Sequence, residues 1–593
     1  MEEAGPGSKV QRVCGVLPIA AVAGSVDFPS HSWLFHKPFE YDRRVASVVT
    51  KQDLEVPVHV NQDEEELLLT KRLDCPDVWY ETEFPFELEL AGMKKEMTSM
   101  LDFDVFTEVS TSSLSQTQLA GAISGRWVKV RKPSGEVRCR FVVRGFDQKI
   151  EDPDDTFAST PSLQTLKLML TLSIAFDWDI TCCDISTAFL HADISGEEIF
   201  VVPPAEYYPE GGIVWRLKKA LYGLKNSPRL WQDHFAAVMK KLGFSRMKSD
   251  PNLYVHVQKR VYVLAYVDDL MVFGSRAAID HFTKELSKDL LLKITGQLSE
   301  GNDVSFLGRN IRRTSDSIQL SMKSSYVETM IKTLGLETCK PAATPGVDAL
   351  KKVVDSTPLP SEDHRLYRRV VGQLLWLSSV RMDIMYAVKE LSRGLTSPTC
   401  DHMSKLKHLV RYLTSTQAFV QELRPTLKLS DKHKALDINV YVDSDWAGCP
   451  DTRRSTSGVS LFVLGANLVS HSRTQQTVAL SSGEAELYAI GSGAAEALFA
   501  RSLVMEARLF EKANITIFTD STAGKSMAGR FGTSRKTKHV DLRFLYVQEL
   551  VQTGMVKLRK VLGTLNPADI MTKYVGRDVL QRHLPTFGLL PSL

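Results

Sequence analysis

Seven carboxylates fall into two groups whose settings suggest chemistry. Asp184 closes the short apolar run Trp178–Cys183, while Asp268 and Asp269 stand between two further apolar runs, Val261–Tyr266 and Leu270–Phe273. Acids at a strand end and at a hairpin tip meet only if the two elements are neighbours in one sheet, and three acids drawn together repel unless cations hold them. Two Mg²⁺ ions about 3.5–4 Å apart would meet that need and would stabilise the attacking and leaving oxygens of an in-line phosphoryl displacement. An isolated Asp-Asp pair also reads as a hydrophilic turn, so the surrounding residues must decide. The second group is Asp443, Glu486, Asp520 and Asp569. Four acids on one sheet-and-helix surface would again hold two ions. Asp445 and Glu484 compete for two of those places.

The elements that must carry these acids are legible in the spacing. Leu163, Leu166, Leu170 and Ile174 recur at helical intervals, and Ser227-Pro228 reads as an N-cap with Pro at the first helical position, ahead of Trp231, Phe235, Val238, Met239 and Leu242. Gly125–Phe146 reads as a hairpin turning at Pro133-Ser134-Gly135. Between Arg126 and Lys149 it carries eight Lys/Arg against Glu136 and Asp147, a basic ribbon. Residues 320–430 read as mainly helical, with a linker over Val353–Asp363. Ile438–Val442 reads as a strand ending at Asp443, Val459–Ser470 as a strand pair, and Ile515–Thr519 as a strand ending at Asp520. Ser481 and Glu484 match a capping box for a long helix from Ser482, and Asn566-Pro567 caps a helix with Asp569 in its first turn.

A chain of 593 residues predicts about three to five domains. With 43% apolar and 24% charged residues it can bury real cores, and 73 basic against 70 acidic side chains leave a nucleic-acid partner open. Eight cysteines without a Cys-x-x-Cys pair argue against a disulfide framework or structural zinc and favour a reducing compartment. No apolar run approaches the roughly 18 residues of a membrane span. The leader-like run Val13–Val26 is interrupted by Pro18 and preceded by Glu2 and Glu3, which speaks against a signal peptide. The acidic run Asp63–Glu66 and a Ser/Thr-rich stretch from Thr107 to Thr117 give the first 115 residues no readable fold.

In motif after motif, and in order, the chain resembles the reverse transcriptase of copia-type LTR retrotransposons. The matching segments are Arg140–Phe146, Asp184–Leu190, Trp215–Trp231, Tyr266-Val-Asp-Asp-Leu270 and Phe306-Leu-Gly308. The resemblance implies a right-hand polymerase with Asp184 and Asp268 as the main metal ligands and Asp269 completing the cluster, using Mg²⁺ or Mn²⁺, two ions per site. It implies that Phe189 is the gate that rejects a ribose 2′-OH, that Tyr222, Gly223 and Lys225 line the nucleotide and template site, and that Arg140 and Arg144 meet triphosphate or template phosphates. Phe306–Gly308 resembles the strand that grips the primer end.

The order of acids in the second group resembles RNase H. Its copia-type form is carried by Val442–Gly448, Arg453–Gly458, Val478–Glu486, Phe518–Ser521, Thr537–Asp541 and Asn566–Asp569. Matching that pattern selects Asp443 and Glu486 over Asp445 and Glu484, and Arg530–Arg543 is a candidate to hold the hybrid's phosphates. No His stands between Arg559 and Asp569, where many RNases H carry one, and His539 is far upstream. The expectation is an α+β multidomain chain: an N-terminal region over 1–115, reverse transcriptase fingers and palm over 116–318, a helical thumb and connection over 319–430, a mixed α/β RNase H-like domain over 431–580 and a tail over 581–593. RNA template, DNA primer, RNA–DNA hybrid and dNTPs are the implied partners, without a membrane. The implied location is intracellular: cytoplasmic, in virus-like particles, and nuclear. Protease, zinc-knuckle and integrase motifs are absent, consistent with a processed or truncated polyprotein. The competing expectation is a catalytically silent relic or host-adopted protein that binds RNA and DNA.

Overall fold

A computed structural model describes residues 84–132, 134–150, 156–194, 196–348, 355–430, 432–532 and 542–591. The acidic run at 63–66, the leader-like run, Pro133, the start of the 353–363 linker and most of the basic segment 530–543 lie outside the described residues. The chain divides into two compact units.

Among the described residues, the first unit takes in 84–102, 124–143 and 203–211. Its strands Gly125–Arg131 and Val137–Val143 pair antiparallel as expected. Alternation buries Val137, Cys139, Phe141 and Val143 on one face and leaves Arg138 and Arg140 on the other. The helix Phe86–Asp102 covers the apolar face through Met93. It comes so close that a Cβ on Gly92 would meet Val137 O at 2.3 Å.

The second unit contains helix α1 (Leu163–Ala175) and strand β1 (Asp179–Ile185), then helix α2 (Ser227–Lys241) and strands β2 (Leu253–His256), β3 (Val261–Tyr266) and β4 (Asp269–Gly274). Helix α3 (Arg276–Leu286) and strand β5 (Leu292–Gln297) follow. The sheet runs β5-β1-β4-β3-β2 and ends on the short strand Ser245–Arg246, so the Asp184 strand and the hairpin of Asp268 and Asp269 are direct neighbours. Trp231, Phe235 and Met239 of α2 bury into this sheet at helical spacing. Helix α2 begins one residue earlier than its sequence suggests: Asn226 is the cap, and Ser227 instead donates its hydroxyl to Leu221 O.

A second sheet, β6 (Asp303–Phe306), β7 (Arg309–Arg313) and β8 (Ile318–Ser321), continues into β9 (Phe419–Leu423). Region 320–430 is therefore not wholly helical: Val420 and Leu423 are buried in a strand on β8. A third sheet is built from β10 (Ala435–Ser444), β11 (Thr456–Val463), β12 (Ala466–Thr474), β13 (Lys512–Thr519) and β14 (Val556–Lys560) in the order β12-β11-β10-β13-β14. Here β10 pairs antiparallel with β11 and parallel with β13. Helix α4 (Ser482–Glu506) crosses it, and the absent side chain of Gly493 admits Val442 and Val440, whose Cγ1 atoms would lie 2.6 and 3.1 Å from a Cβ there. The expected tail is structured as well. Residues 589–591 form β15, which pairs with β9 and completes the second sheet. That sheet draws its strands from both sides of residues 318/319 and 430/431.

Candidate functional site

The register of β1 and β4 sets Asp269 opposite Asp184, on the same face of the sheet. Asp268 lies at the hairpin tip, where two hydrogen bonds fix the backbone: Asp268 O accepts from Ile185 N at 2.8 Å, and Val267 O accepts from the Trp231 indole at 2.7 Å. Val267 has φ 52°, a left-handed conformation unfavourable for a β-branched residue and held only because its surroundings over-determine it. Burial first, then the charges of Asp268 and Asp184, push the Asp269 carboxyl up to about 7. The donor set is thus all carboxylate, which suits divalent cations.

Phe189 stands edge-on to Tyr222 with ring centroids 5.5 Å apart, in a short helix entered through Thr187 at φ 55°. Gly223 has φ 96°, and a Cβ on Gly145 would fall 2.0 Å from its carbonyl oxygen, so the two glycines permit a backbone crossing. Lys225 is committed to that crossing, its ammonium donating to Gln148 O at 2.8 Å and Phe146 O at 3.2 Å. Arg140 belongs to the first unit, where it and Arg138 oppose the rise of the buried Glu96 carboxyl, which still stands at about 6. Arg144 belongs to the second unit and is exposed. Leu307 and Gly308 join β6 to β7 as a two-residue hairpin with both φ positive, at 50° and 69°.

In the third sheet, Asp443 and Asp520 emerge from the same ends of the parallel strands β10 and β13, two residues past the paired Tyr441 and Phe518. Glu486, on the first turns of α4, reaches both. Oxygens of Asp443, Glu486 and Asp520 all lie within 4.8 Å of one another, the group of three among the described residues that does so. Glu486 accepts from Ser444 N and from the Thr519 hydroxyl, each at 3.3 Å. Burial and the two aspartates raise its carboxyl to about 8, and burial also raises Asp443 and Asp520. Glu484 is turned elsewhere, accepting from Leu480 N at 3.1 Å. The reciprocal half of the expected capping box is therefore not made, although Ser481 does cap Glu484 N. Asp445 accepts from Thr456 N on β11.

Asp569 joins from the segment Pro567–Met571, a 3₁₀ turn where sequence suggests an α-helix. Asn566 caps it by accepting from Ala568 N and ties it to β10 by donating to Val442 O at 2.9 Å. Gly458, the register partner of Asp443, makes room: a Cβ there would lie 2.8 Å from Ala568 O. Sequence reasoning stopped at Asp569 and missed the next contacts. Thr572 donates its hydroxyl to Asp443, and the Lys573 ammonium lies 3.0 Å from Asp569. The signal was available, since both follow Asn-Pro-Ala-Asp directly. Trp446, held by Ala479 O at 3.0 Å and 56% exposed, stands three residues beyond Asp443.

Residues 104–348 match the family model described as reverse transcriptase (RNA-dependent DNA polymerase). The Pol polyprotein of transposon TNT 1-94 from Nicotiana tabacum is 30% identical over 76% of this chain and 34% of its own length. That of transposon RE2 from Arabidopsis thaliana is 29% identical over 78% and 32%. The chain thus spans about a third of the length of these relatives. A putative transposon Ty5-1 protein of Saccharomyces cerevisiae is 31% identical over 51% of this chain and 96% of its own length. A solved foamy viral protease–reverse transcriptase in complex with double-stranded DNA aligns with 79% of this chain and 69% of its own, with a TM-score of 0.44 at 12% identity.

Proposed function

Because this chain belongs to the reverse transcriptase family of copia-type retrotransposon Pol polyproteins, we propose that it is an RNA-directed DNA polymerase linked to a ribonuclease H. It would copy RNA into DNA from a primer and dNTPs and cleave the RNA of the resulting hybrid. The observation that carries the first half is the register match of Asp184 with Asp269 beside a hairpin tip pinned by Trp231. The second half is supported by Asp443, Glu486, Asp520 and Asp569 converging on a sheet of order β12-β11-β10-β13-β14.

Asp184, Asp268 and Asp269 would hold the ions of the polymerase site, and the four later acids those of the nuclease site. Divalent cations bound there supply the positive charge that phosphoryl displacement and water activation need. The chain's own residues do the positioning. Trp231 and Ile185 fix the backbone on which Asp268 is carried, and Phe189, which packs on Tyr222, would be the gate against a ribose 2′-OH. Lys225 braces the 146–148 loop against the Gly223 crossing, a structural duty that makes it a support of the nucleotide site. In the nuclease site the Ser444 amide and Thr519 hydroxyl aim Glu486, and the Thr572 hydroxyl aims Asp443.

The test is Mg²⁺-dependent extension of a labelled DNA primer on an RNA template by the purified chain, with Asp268→Asn as control. Extension by the parent alone is the expected result. A folded chain that binds the hybrid and extends nothing would instead be the inactive relic.

A further inference from the structure

Four carboxylates that share one end of a sheet repel each other, and their repulsion is relieved by positive charge. Such a charge is built into the chain. The ammonium of Lys573 lies 3.0 Å from Asp569 Oδ1, with its side chain about half exposed and Asp569 mostly covered. Burial works against the charge on Lys573, yet Asp569, Asp443 and Asp520 more than offset it, so three of the four acids lie within electrostatic reach of one cation. The adjacent Thr572 donates to Asp443 and to the carbonyl of Asp569, so two consecutive residues bind the cluster from one short segment. That segment is anchored by the buried Asn566 on β10. Lys560, the other cation that lowers Asp520, is bonded to the Thr522 hydroxyl at 2.6 Å.

We propose that Lys573 is a built-in counter-cation of the RNase H-like site, a positioning residue that holds Asp569 beside Asp443 and competes with the divalent ions for the four carboxylates. This rests on the ribonuclease reading given above. Its content is that the chain lowers its own metal affinity: the site is held together before any ion arrives, and each ion must displace an ammonium already in place. Removing the charge should tighten metal binding, an effect opposite to that of general damage to the site.

The experiment uses the full chain and reads Mg²⁺ binding as the part of the Mg²⁺-induced thermal shift that Asp443→Asn abolishes. Lys573→Met should lower the half-saturating Mg²⁺ concentration by about 3- to 10-fold, the scale of one unit charge at close range in a partly screened site. Lys573→Gln, which removes the charge and keeps a donor toward Asp569, should do the same, and Lys573→Arg should return the parent value. Unchanged or weaker Mg²⁺ binding in both uncharged variants, with parental circular dichroism, would overturn the proposal while leaving the ribonuclease reading intact. A parent chain whose Mg²⁺ response is untouched by Asp443→Asn would overturn that reading itself, and the role of Lys573 with it.

Discussion

Asp269 faces Asp184 across two hydrogen-bonded antiparallel strands, and this pairing adds a distant carboxylate to the negative charge that the adjacent Asp268 already places at the hairpin. Cβ atoms of directly opposed residues are about 4.5–5.5 Å apart, so the strand register alone brings two carboxyls from distant parts of the sequence into one site. The Asp269 carboxyl is raised to about 7, by burial and then by its neighbours. A cation bound here replaces a proton.

The two acid clusters sit on different sheets, so their activities should separate. Asp268→Asn should reduce nucleotide addition by about 100-fold or more, the loss of several kcal/mol of charge stabilisation, with hybrid cleavage nearly unchanged; Asp443→Asn should do the reverse. Parallel primer-extension and RNA-cleavage assays check this. If one substitution abolishes both activities in a folded protein, the sites are not independent.

Phe189 leans on Tyr222 and is only partly buried, so truncation should open space without collapsing the palm. Phe189→Ala should admit ribonucleotides, read as a smaller ratio of kcat/KM for dNTP over rNTP. An unchanged ratio would remove Phe189 from the gate.

Gly458 allows the Asn566–Thr572 segment to lie against Asp443. In Gly458→Ala the new methyl group meets the Ala568 carbonyl, and relief by backbone movement should cost about 1–3 kcal/mol. RNA cleavage should fall while primer extension persists. Parental melting temperature together with parental cleavage would show that the segment does not need this contact.

Lys167 is fully buried on α1 and donates to Ser379 O at 2.8 Å; burial, with help from Arg309, lowers its pKa to about 7. Between about 7 and its ordinary value near 10.4 the unfolded chain binds the extra proton, so this group's contribution to stability rises with pH over that window. Below about 7 the folded protein bears the cost of a buried charge. Lys167→Met should therefore raise the melting temperature relative to the parent most at pH 6–7 and least near pH 10. A difference independent of pH would show that Lys167 does not titrate in the folded state.

Much of the fold was legible because its elements obey short-range rules. The i, i+4, i+7 pattern from Trp231 to Met239 and the paired apolar runs around Val267–Asp269 each fix one element, and the structure keeps both. Asp184, Asp443 and Asp520 were found by their positions at strand ends, and the choice of Glu486 over Glu484 needed a pattern, since both stand within the first two turns of one helix. Only the fold shows why Glu484 turns back to Leu480 N.

What sequence did not disclose depends on partners far along the chain. Phe419–Leu423 carries no strand signal strong enough to outweigh its helical surroundings, and it is extended because β8 and β15 flank it. Lys225 is expected from sequence to line the nucleotide and template site, and nothing in the sequence shows that its ammonium donates to two carbonyls of a loop more than seventy residues earlier. Thr572 and Lys573 have no periodicity to announce them, and their meaning comes from Asp443 and Asp569.

The strand pair of Phe419–Leu423 with Leu589–Pro591 also decides which backbone the second sheet exposes. Were Leu589–Pro591 to detach, Phe419–Leu423 would become an edge strand with a row of unpaired N–H and C=O groups. An open edge is a template for pairing with another chain. Local release of one short strand would therefore be enough to turn an internal strand of this sheet into a place where two chains can join.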